Sequence, residues 1–462
     1  MEKFFQTIQW FAKLKTKMID LKAPVIIGRS DKDIKLYGTL GCIYVGNKYQ
    51  ETNVYETKLA NPVYLEVAGS HVISIFGKRG GGKSYTMGVI AEGFSMLAEE
   101  IKKNTSVILV DTMGVYWTMK MPNLEQEKIL QEYGLKPRGV PVKIFTPYKF
   151  FDEYKKKGIP TDFPFSIKPS ELDSDDWLEA FKQKKFSAIG VLINDTVAAL
   201  KEKKKEYSIT EIITGIKSNN EFPMDEKMET VAMFKLAESW GIFSDTSTEL
   251  IVLASPGEIS VLDVSCYATL PSGWEVKAMV LGLVAKHLFI SRMLARKDEE
   301  FKMIKTEENW MSQEHNIIKN PEKAKKMPLV WLVIDEAHEF LPRDEKDKNA
   351  ATEPLKIIMR EGRQPGISLI LATQQPGKIH TDVLTQSDIV MSHRVTADID
   401  IQALMLLAQS YNRDGLMEAM EDLPKLKGTA IVFDDSNEKI HEIMIRPRIS
   451  WHGGGSPSAL DM

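Results

Sequence analysis

Short apolar runs recur along the chain, each followed by glycine or polar residues and then by a stretch with helical spacing. His71 to Phe76, Ser106 to Val110, Leu329 to Ile334 and Ile367 to Leu371 are too short for buried helices and rich in β-branched residues. They predict strands covered on both faces. Helices are expected from Tyr85 to Leu97, around Trp274 to Leu294 and near Pro354 to Arg363, and further apolar pieces at Leu250–Leu253 and Ile259–Leu262 resume the alternation. Strand, loop, helix, strand in repetition means an α/β core on a parallel sheet.

The flanks of this pattern differ from its centre. Residues 22 to 70 hold short β-rich pieces, Pro24–Ile27, Cys42–Val45 and Pro62–Val67, separated by Gly and Asn turns, and predict a small β-rich, barrel-like module. Residues from about 146 to 248 are charged and helical and are expected to form an insertion in the core, which would then run from 71 to 445 with a tail at 446–462. Lysine clusters in the insertion, Lys155 to Lys157, Lys182 to Lys185 and Lys201 to Lys205, suit solvated helix faces better than nucleic-acid contacts. At the start, Phe4, Ile8, Phe11 and Leu14 or Met18 fall at helical spacing with lysines elsewhere on the wheel, so residues 1–21 are expected to be an amphipathic helix. Docking on a neighbouring domain or partner suits it better than contact with a membrane surface.

Composition narrows the class without deciding it. The chain has 462 residues, 43% of them apolar and 27% charged, enough for two or three domains with real cores. A formal charge of −4 excludes a uniformly basic nucleic-acid coat but not a local basic stripe. Cys42 and Cys266 stand far apart and the eight histidines show no metal-ligand spacing, so a reducing cytoplasm and no structural zinc are expected. No apolar run approaches the roughly 18 residues of a membrane span, and no stable membrane association is expected.

The chemistry begins where the first core strand ends. Gly77-Lys78-Arg79-Gly80-Gly81-Gly82-Lys83-Ser84 has the G-x-x-x-x-G-K-S spacing of a phosphate cradle. Its backbone N–H groups wrap phosphate oxygens, Lys83 faces the β/γ-phosphates, and the Ser84 hydroxyl is offered to Mg2+. The helix starting near Tyr85 adds its N-terminal dipole. A second buried strand ends in Asp335-Glu336-Ala337-His338. Asp335 suits the metal shell and Glu336 the general base that deprotonates water, which predicts ATP hydrolysis with Mg2+. The same two acids would otherwise cap a helix. Gln374, in the polar tip Ala372-Thr373-Gln374-Gln375 of the following strand, suits γ-phosphate sensing.

Asp335 lies 252 positions after Lys83, and with 124 residues after His338 no second RecA-like lobe is expected. A single RecA-like core of this sort is commonly completed by an arginine from the next subunit of a closed ring. Arg363, Arg360 and Arg394, in that order, are the candidates.

Taken together, these motifs resemble the HerA-like ATPases of the HerA–FtsK superfamily, ring-forming DNA translocases. The resemblance runs through Phe76 to Ser84, Asp111-Thr-Met-Gly114-Val-Tyr116, Gly257 to Val264, Val333 to His338, Arg360-Glu-Gly-Arg363, Ala372 to Pro376 and His393-Arg394. It implies a homo-hexamer threaded by double-stranded DNA, an N-terminal barrel that docks a nuclease or similar effector, and a C-terminal tail reaching the nucleotide, here Arg446 to Gly454 with Arg446 and Arg448. Contact with DNA is implied only by this resemblance, and would come from pore loops that grip phosphates without reading bases, with Gly377-Lys378-Ile379-His380 as the candidate loop and a surface turn as its alternative. The turn after the second strand keeps only Asp111, Gly114 and Tyr116 of the family's pattern, and the β module is short for a full barrel. An ATP-gated scaffold for an antiviral effector is the alternative reading of the same ring.

Overall fold

The computed structural model describes residues 23–48, 61–270, 272–307, 327–407, 423 and 426–454. The amphipathic helix expected at 1–21 lies outside them. Among the described residues, thirteen strands form one sheet. In chain order they are β1 (Val25–Ile27), β2 (Cys42–Lys48), β3 (Pro62–Glu66), β4 (Val72–Phe76), β5 (Thr105–Asp111), β6 (Val142–Pro147) and β7 (Phe163–Phe165), then β8 (Ile259–Asp263), β9 (Leu329–Ile334), β10 (Ile367–Thr373), β11 (Ile389–Ser392), β12 (Thr429–Asp434) and β13 (Lys439–Ile445). Their spatial order is β1-β3-β2-β13-β12-β11-β4-β10-β9-β5-β8-β6-β7.

From β11 to β7 every neighbouring pair is parallel. The expected core strands form its centre, and every residue of β5 and β10 is buried. Alternate residues feed two cores: Ile108, Val110, Leu332 and Ile334 enter one, Val107, Leu109, Trp331 and Val333 the other. This two-sided burial is why these strands read as continuous apolar runs. The β-rich pieces of residues 22–70 are strands that continue the sheet, with β2 pairing antiparallel to β13. Leu250–Leu253, read as part of the strand pattern, is a single helical turn, because β5 and β6 already flank β8.

Helix α1 (Asp31–Tyr37) precedes β2, and α2 (Lys83–Phe94) follows β4. Within 146–248 lie α3 (Tyr148–Lys156), α4 (Ser174–Ala180), α5 (Ala188–Lys203), α6 (Ile209–Ser218) and α7 (Met224–Ser239). Capping boxes start α4 (Asp173 with Asp176) and α6 (Ser208 with Glu211). Their aromatic nucleus, Trp177, Phe181, Phe234 and Trp240, belongs to the same apolar cluster as β9 and β10. Several lysines there are paired, Lys182 with Glu275 at 2.7 Å and Lys185 with Asp175 at 2.8 Å.

Helix α8 (Gly273–Glu307) corrects one expectation: Gly273–Ile304 is long and apolar enough, by length and composition alone, to cross a membrane. Its N-terminal half is mostly buried, and Val276, Met279, Val280, Leu281 and Leu288 pack into the core beneath the sheet. A core helix covered on several sides is apolar nearly all round, and single lysines and arginines interrupt the run enough to hide it from a contiguous count. Helix α9 (Thr352–Glu361) lies beside it.

At the opposite edge of β4 from the phosphate loop, three strands are tied by a buried histidine. His71 Nε2 meets Glu66 Oε2 at 2.6 Å, Nδ1 meets Asp388 Oδ2, and Glu66 also accepts from Arg29 at 3.1 Å. Burial by itself would lower the His71 pKa, but hydrogen bonds and charges from Asp388 and Glu66 raise it to about 9. The folded state therefore holds the proton more tightly than the unfolded chain, whose histidine titrates near 6.5. This contribution is complete below about pH 6.5 and is lost as pH rises through about 9, amounting to about 3 kcal/mol. Between pH 6 and 9.5 the wild type should lose melting temperature, and His71→Gln should lose much less; equal losses would show that the triad does not titrate.

Candidate functional site

The site forms where β4, β9 and β10 end side by side. β4 pairs with β10 and β10 with β9 in parallel, so Phe76, Ile334 and Thr373 release their following loops at one edge. Gly77 to Gly82 makes the loop after β4, and α2 begins at Lys83 with Gly82 as its N-cap at φ 113°, a conformation that suits glycine. Lys78, Arg79 and Gly80 are exposed at the loop's tip, while Lys83 is buried. Lys83 Nζ lies 3.4 Å from the Lys78 carbonyl. Burial lowers the Lys83 pKa, and the Asp335 and Glu336 charges oppose that shift.

The two acids are placed differently. Asp335 Oδ2 accepts from the Ser84 hydroxyl at 2.8 Å, and Oδ1 accepts from the Glu336 N–H at 2.9 Å. Glu336 has φ 51° and ψ 43°, a left-handed conformation uncommon outside glycine, which turns the chain sharply at the tip of β9. Its Oε1 accepts from Gln374 Nε2 at 3.1 Å; Oε2 is buried without a hydrogen-bond partner, 3.5 Å from His338 Nδ1. Burial, and then the Asp335 charge, raise the Glu336 pKa, which suits a carboxylate that takes up a proton. Thr373 Oγ1 and Gln375 Nε2 hold the two ring nitrogens of His338 at 2.9 and 3.2 Å. Lys83, Ser84, Asp335, Glu336 and Gln374 thus share one edge.

The remaining candidates have other partners. Asp111 is buried and caps its own turn, accepting from the Gly114 N–H at 2.7 Å and the Tyr116 N–H at 2.8 Å. Burial and the neighbouring Asp263 raise its pKa. Arg360 donates to Asp382 at 2.8 Å, Arg363 is exposed just beyond α9, and Arg394 accepts at its carbonyl from the Lys78 N–H at 3.2 Å. Arg446 and Arg448 correct the expectation of nucleotide ligands: both are fully buried and bind the carboxylate of Glu92 on α2, each at 3.1 Å. Their guanidiniums are used to strap the tail to the helix. Tyr85 takes part in that strap, its hydroxyl accepting from the Arg448 N–H at 2.7 Å and donating to Gln126 at 2.8 Å.

Sequence reasoning assigned no role to Glu92, Thr86, His338 or His393. Glu92 had a signal, a lone acid late in an apolar helix with two arginines far along the chain. His393 follows a buried strand, and its place in the His393-Arg394 motif marked it without giving it a role.

The fold is that of a RecA-like P-loop ATPase, and this edge gathers a glycine-rich loop, a buried lysine, a hydroxyl bonded to one strand-end acid and a second acid beside it. A family profile described as "Helicase HerA, central domain" matches residues 43–282. Over 381 residues the chain is 26% identical to the probable DNA double-strand break repair helicase HerA of Methanocaldococcus jannaschii, covering 79% of this chain and 68% of that protein. It is 27% identical over 191 residues to the DNA double-strand break repair helicase HerA of Pyrococcus furiosus, covering 40% of this chain and 32% of that one. Among solved structures, VirB4 of Thermoanaerobacter pseudethanolicus superposes with a TM-score of 0.56 at 13% identity, covering 87% of this chain and 96% of that one, a likeness of fold. The chain belongs to the HerA helicase family.

Proposed function

We propose that this chain is the ATPase subunit of a homo-hexameric translocase that threads double-stranded DNA in the cytoplasm and works with a nuclease or similar effector. The observation that carries the ATPase part of the reading is the Ser84–Asp335 hydrogen bond beside the Glu336 oxygen that has no hydrogen-bond partner, and the likeness to HerA helicases supports the DNA-processing part. Ser84 Oγ and Asp335 are hard oxygen donors suited to Mg2+ and its waters. When bound there, the ion neutralises charge on the transferring phosphate. Lys83 and the loop N–H groups hold the phosphates, Glu336 accepts a proton from the attacking water, and Gln374 keeps Glu336 aimed. With Arg360 paired to Asp382 and Arg446 and Arg448 committed to Glu92, Arg363 and Arg394 are the better candidates to act on a neighbouring subunit's site.

Support for a DNA-facing loop comes from Lys378, exposed on the one-turn helix Pro376–Lys378, which borders a cleft of about 1090 Å3 next to His338 and Arg343. The loop is stitched to the segment after Asp335, its Lys378 carbonyl accepting from the Arg343 N–H at 2.9 Å. Lys378→Ala should lower DNA-stimulated turnover and leave ATP binding intact; unchanged stimulation would remove it from the DNA path.

Steady-state ATP hydrolysis with and without linear duplex DNA, at low and high salt, tests the whole reading. Stimulation should fall as salt rises, because phosphate contacts release counterions, and Lys83→Ala should abolish it. Turnover indifferent to DNA would replace the translocase with the ATP-gated scaffold.

A further inference from the structure

His393 directly follows β11 beneath the phosphate loop, and the hydrolytic machinery described above does not use it. Its N–H donates to the Phe76 carbonyl at 2.8 Å, so the backbone meets the last residue of β4 before the loop opens. The imidazole is wholly enclosed. A Cβ built on Gly77 would lie 2.8 Å from His393 Cβ, and one on Gly82 would lie 3.3 Å from Cε1. The side chain therefore fills the space inside the loop that these two glycines leave, its Cβ under Gly77 and its ring under Gly82.

Both ring nitrogens are engaged, and the partners define the tautomer. Nδ1 faces the Thr429 carbonyl at 2.9 Å, and a carbonyl only accepts, so Nδ1 carries the proton. Burial keeps the ring neutral, with a pKa of about 4. Nε2 is then an acceptor, and the Thr86 hydroxyl donates to it at 2.8 Å. Thr86 lies in the first turn of α2, two residues after Ser84.

We propose that His393 is the positioning residue of the phosphate loop, fixing through Thr86 the seat of the first turn of α2 and thereby the alignment of Lys83 and Ser84 with the nucleotide phosphates. It touches no nucleotide atom in this role. A loop that holds phosphates in ground state and transition state alike should register its loss more in KM and nucleotide affinity than in kcat.

The experiment compares His393→Ala, His393→Gln, His393→Asn and Thr86→Val, measuring the Kd of a fluorescent ATP analogue with Mg2+, kcat and KM for ATP, and melting temperature. Gln places an acceptor near the Nε2 position, whereas Asn reproduces only the Nδ1 donor. His393→Ala and Thr86→Val should weaken analogue binding by about tenfold, the order of one net hydrogen bond. Gln should restore most of that loss and Asn little, with the two variants melting at similar temperatures. Affinity that tracks melting temperature across the set would overturn the proposal in favour of a packing role. So would wild-type affinity in Thr86→Val, a near-isosteric change that keeps the test available should His393→Ala fail to fold.

Discussion

Glu336→Gln should bind ATP with near wild-type affinity and hydrolyse it at least about 10²-fold more slowly, the lower end of what a positioned general base contributes. The substitution keeps the side chain's length and a group that can still meet Gln374, now 3.1 Å from Oε1, but removes the proton acceptor. It also keeps the left-handed backbone at φ 51°, so the turn that presents residue 336 should persist and the melting temperature should change little. Single-turnover hydrolysis beside equilibrium nucleotide binding checks it. Wild-type hydrolysis would transfer the role of base to another group, whereas lost binding would mean that Glu336 supports the loop. The raised Glu336 pKa adds a second signature. Turnover should fall on the acid side at a higher pH than an ordinary carboxylate would cause, because the base must be ionised to act, and Gln should abolish that limb.

The second large effect is structural. Glu92→Ala should destabilise the fold by about 3–5 kcal/mol, the cost of leaving buried charge uncompensated. Glu92 is fully buried, and its two oxygens accept from Arg446, Arg448, the Ile449 N–H and the Ser450 N–H, all at 3.0–3.1 Å. Burial raises its pKa, and the two arginines more than reverse that, leaving it below the usual carboxylate range. Removing Glu92 strands two guanidiniums inside the protein and frees the tail from α2. Urea unfolding of Glu92→Ala and Glu92→Gln measures the loss, with Gln intermediate because it keeps hydrogen bonds but not the charge. A cost below about 1 kcal/mol would mean that water reaches the strap and solvates the arginines, as at an exposed pair.

Residues that act close to their place in the chain were legible. The phosphate loop, its helix, the paired acids and Gln374 each sit at the end of an apolar run, and a buried parallel strand followed by a glycine-rich or acidic turn is a local pattern with a local cause. Long-range roles were not legible in the same way. Arg446 and Arg448 look like free cations near a motif, yet each needs an anion, and Glu92 lies more than 350 positions earlier. The length and apolarity of α8 were likewise masked by lysines and arginines, one of which, Arg292, is itself buried and donates to the Pro365 and Met327 carbonyls at 2.7 Å.

By itself, the sequence determined the strand-forming runs, the phosphate loop and the identity of the acids that follow β9, because spacing of apolar residues and backbone freedom of glycine act over a few residues. Tertiary structure alone decided which distant groups share a charge or a proton. It set Asp335 against Ser84, left one oxygen of Glu336 without a partner, placed His393 under the glycines and enclosed Glu92 between two arginines. The physical reason is that the partner of a buried polar group is chosen by burial and strand order, which bring together residues that no local period connects.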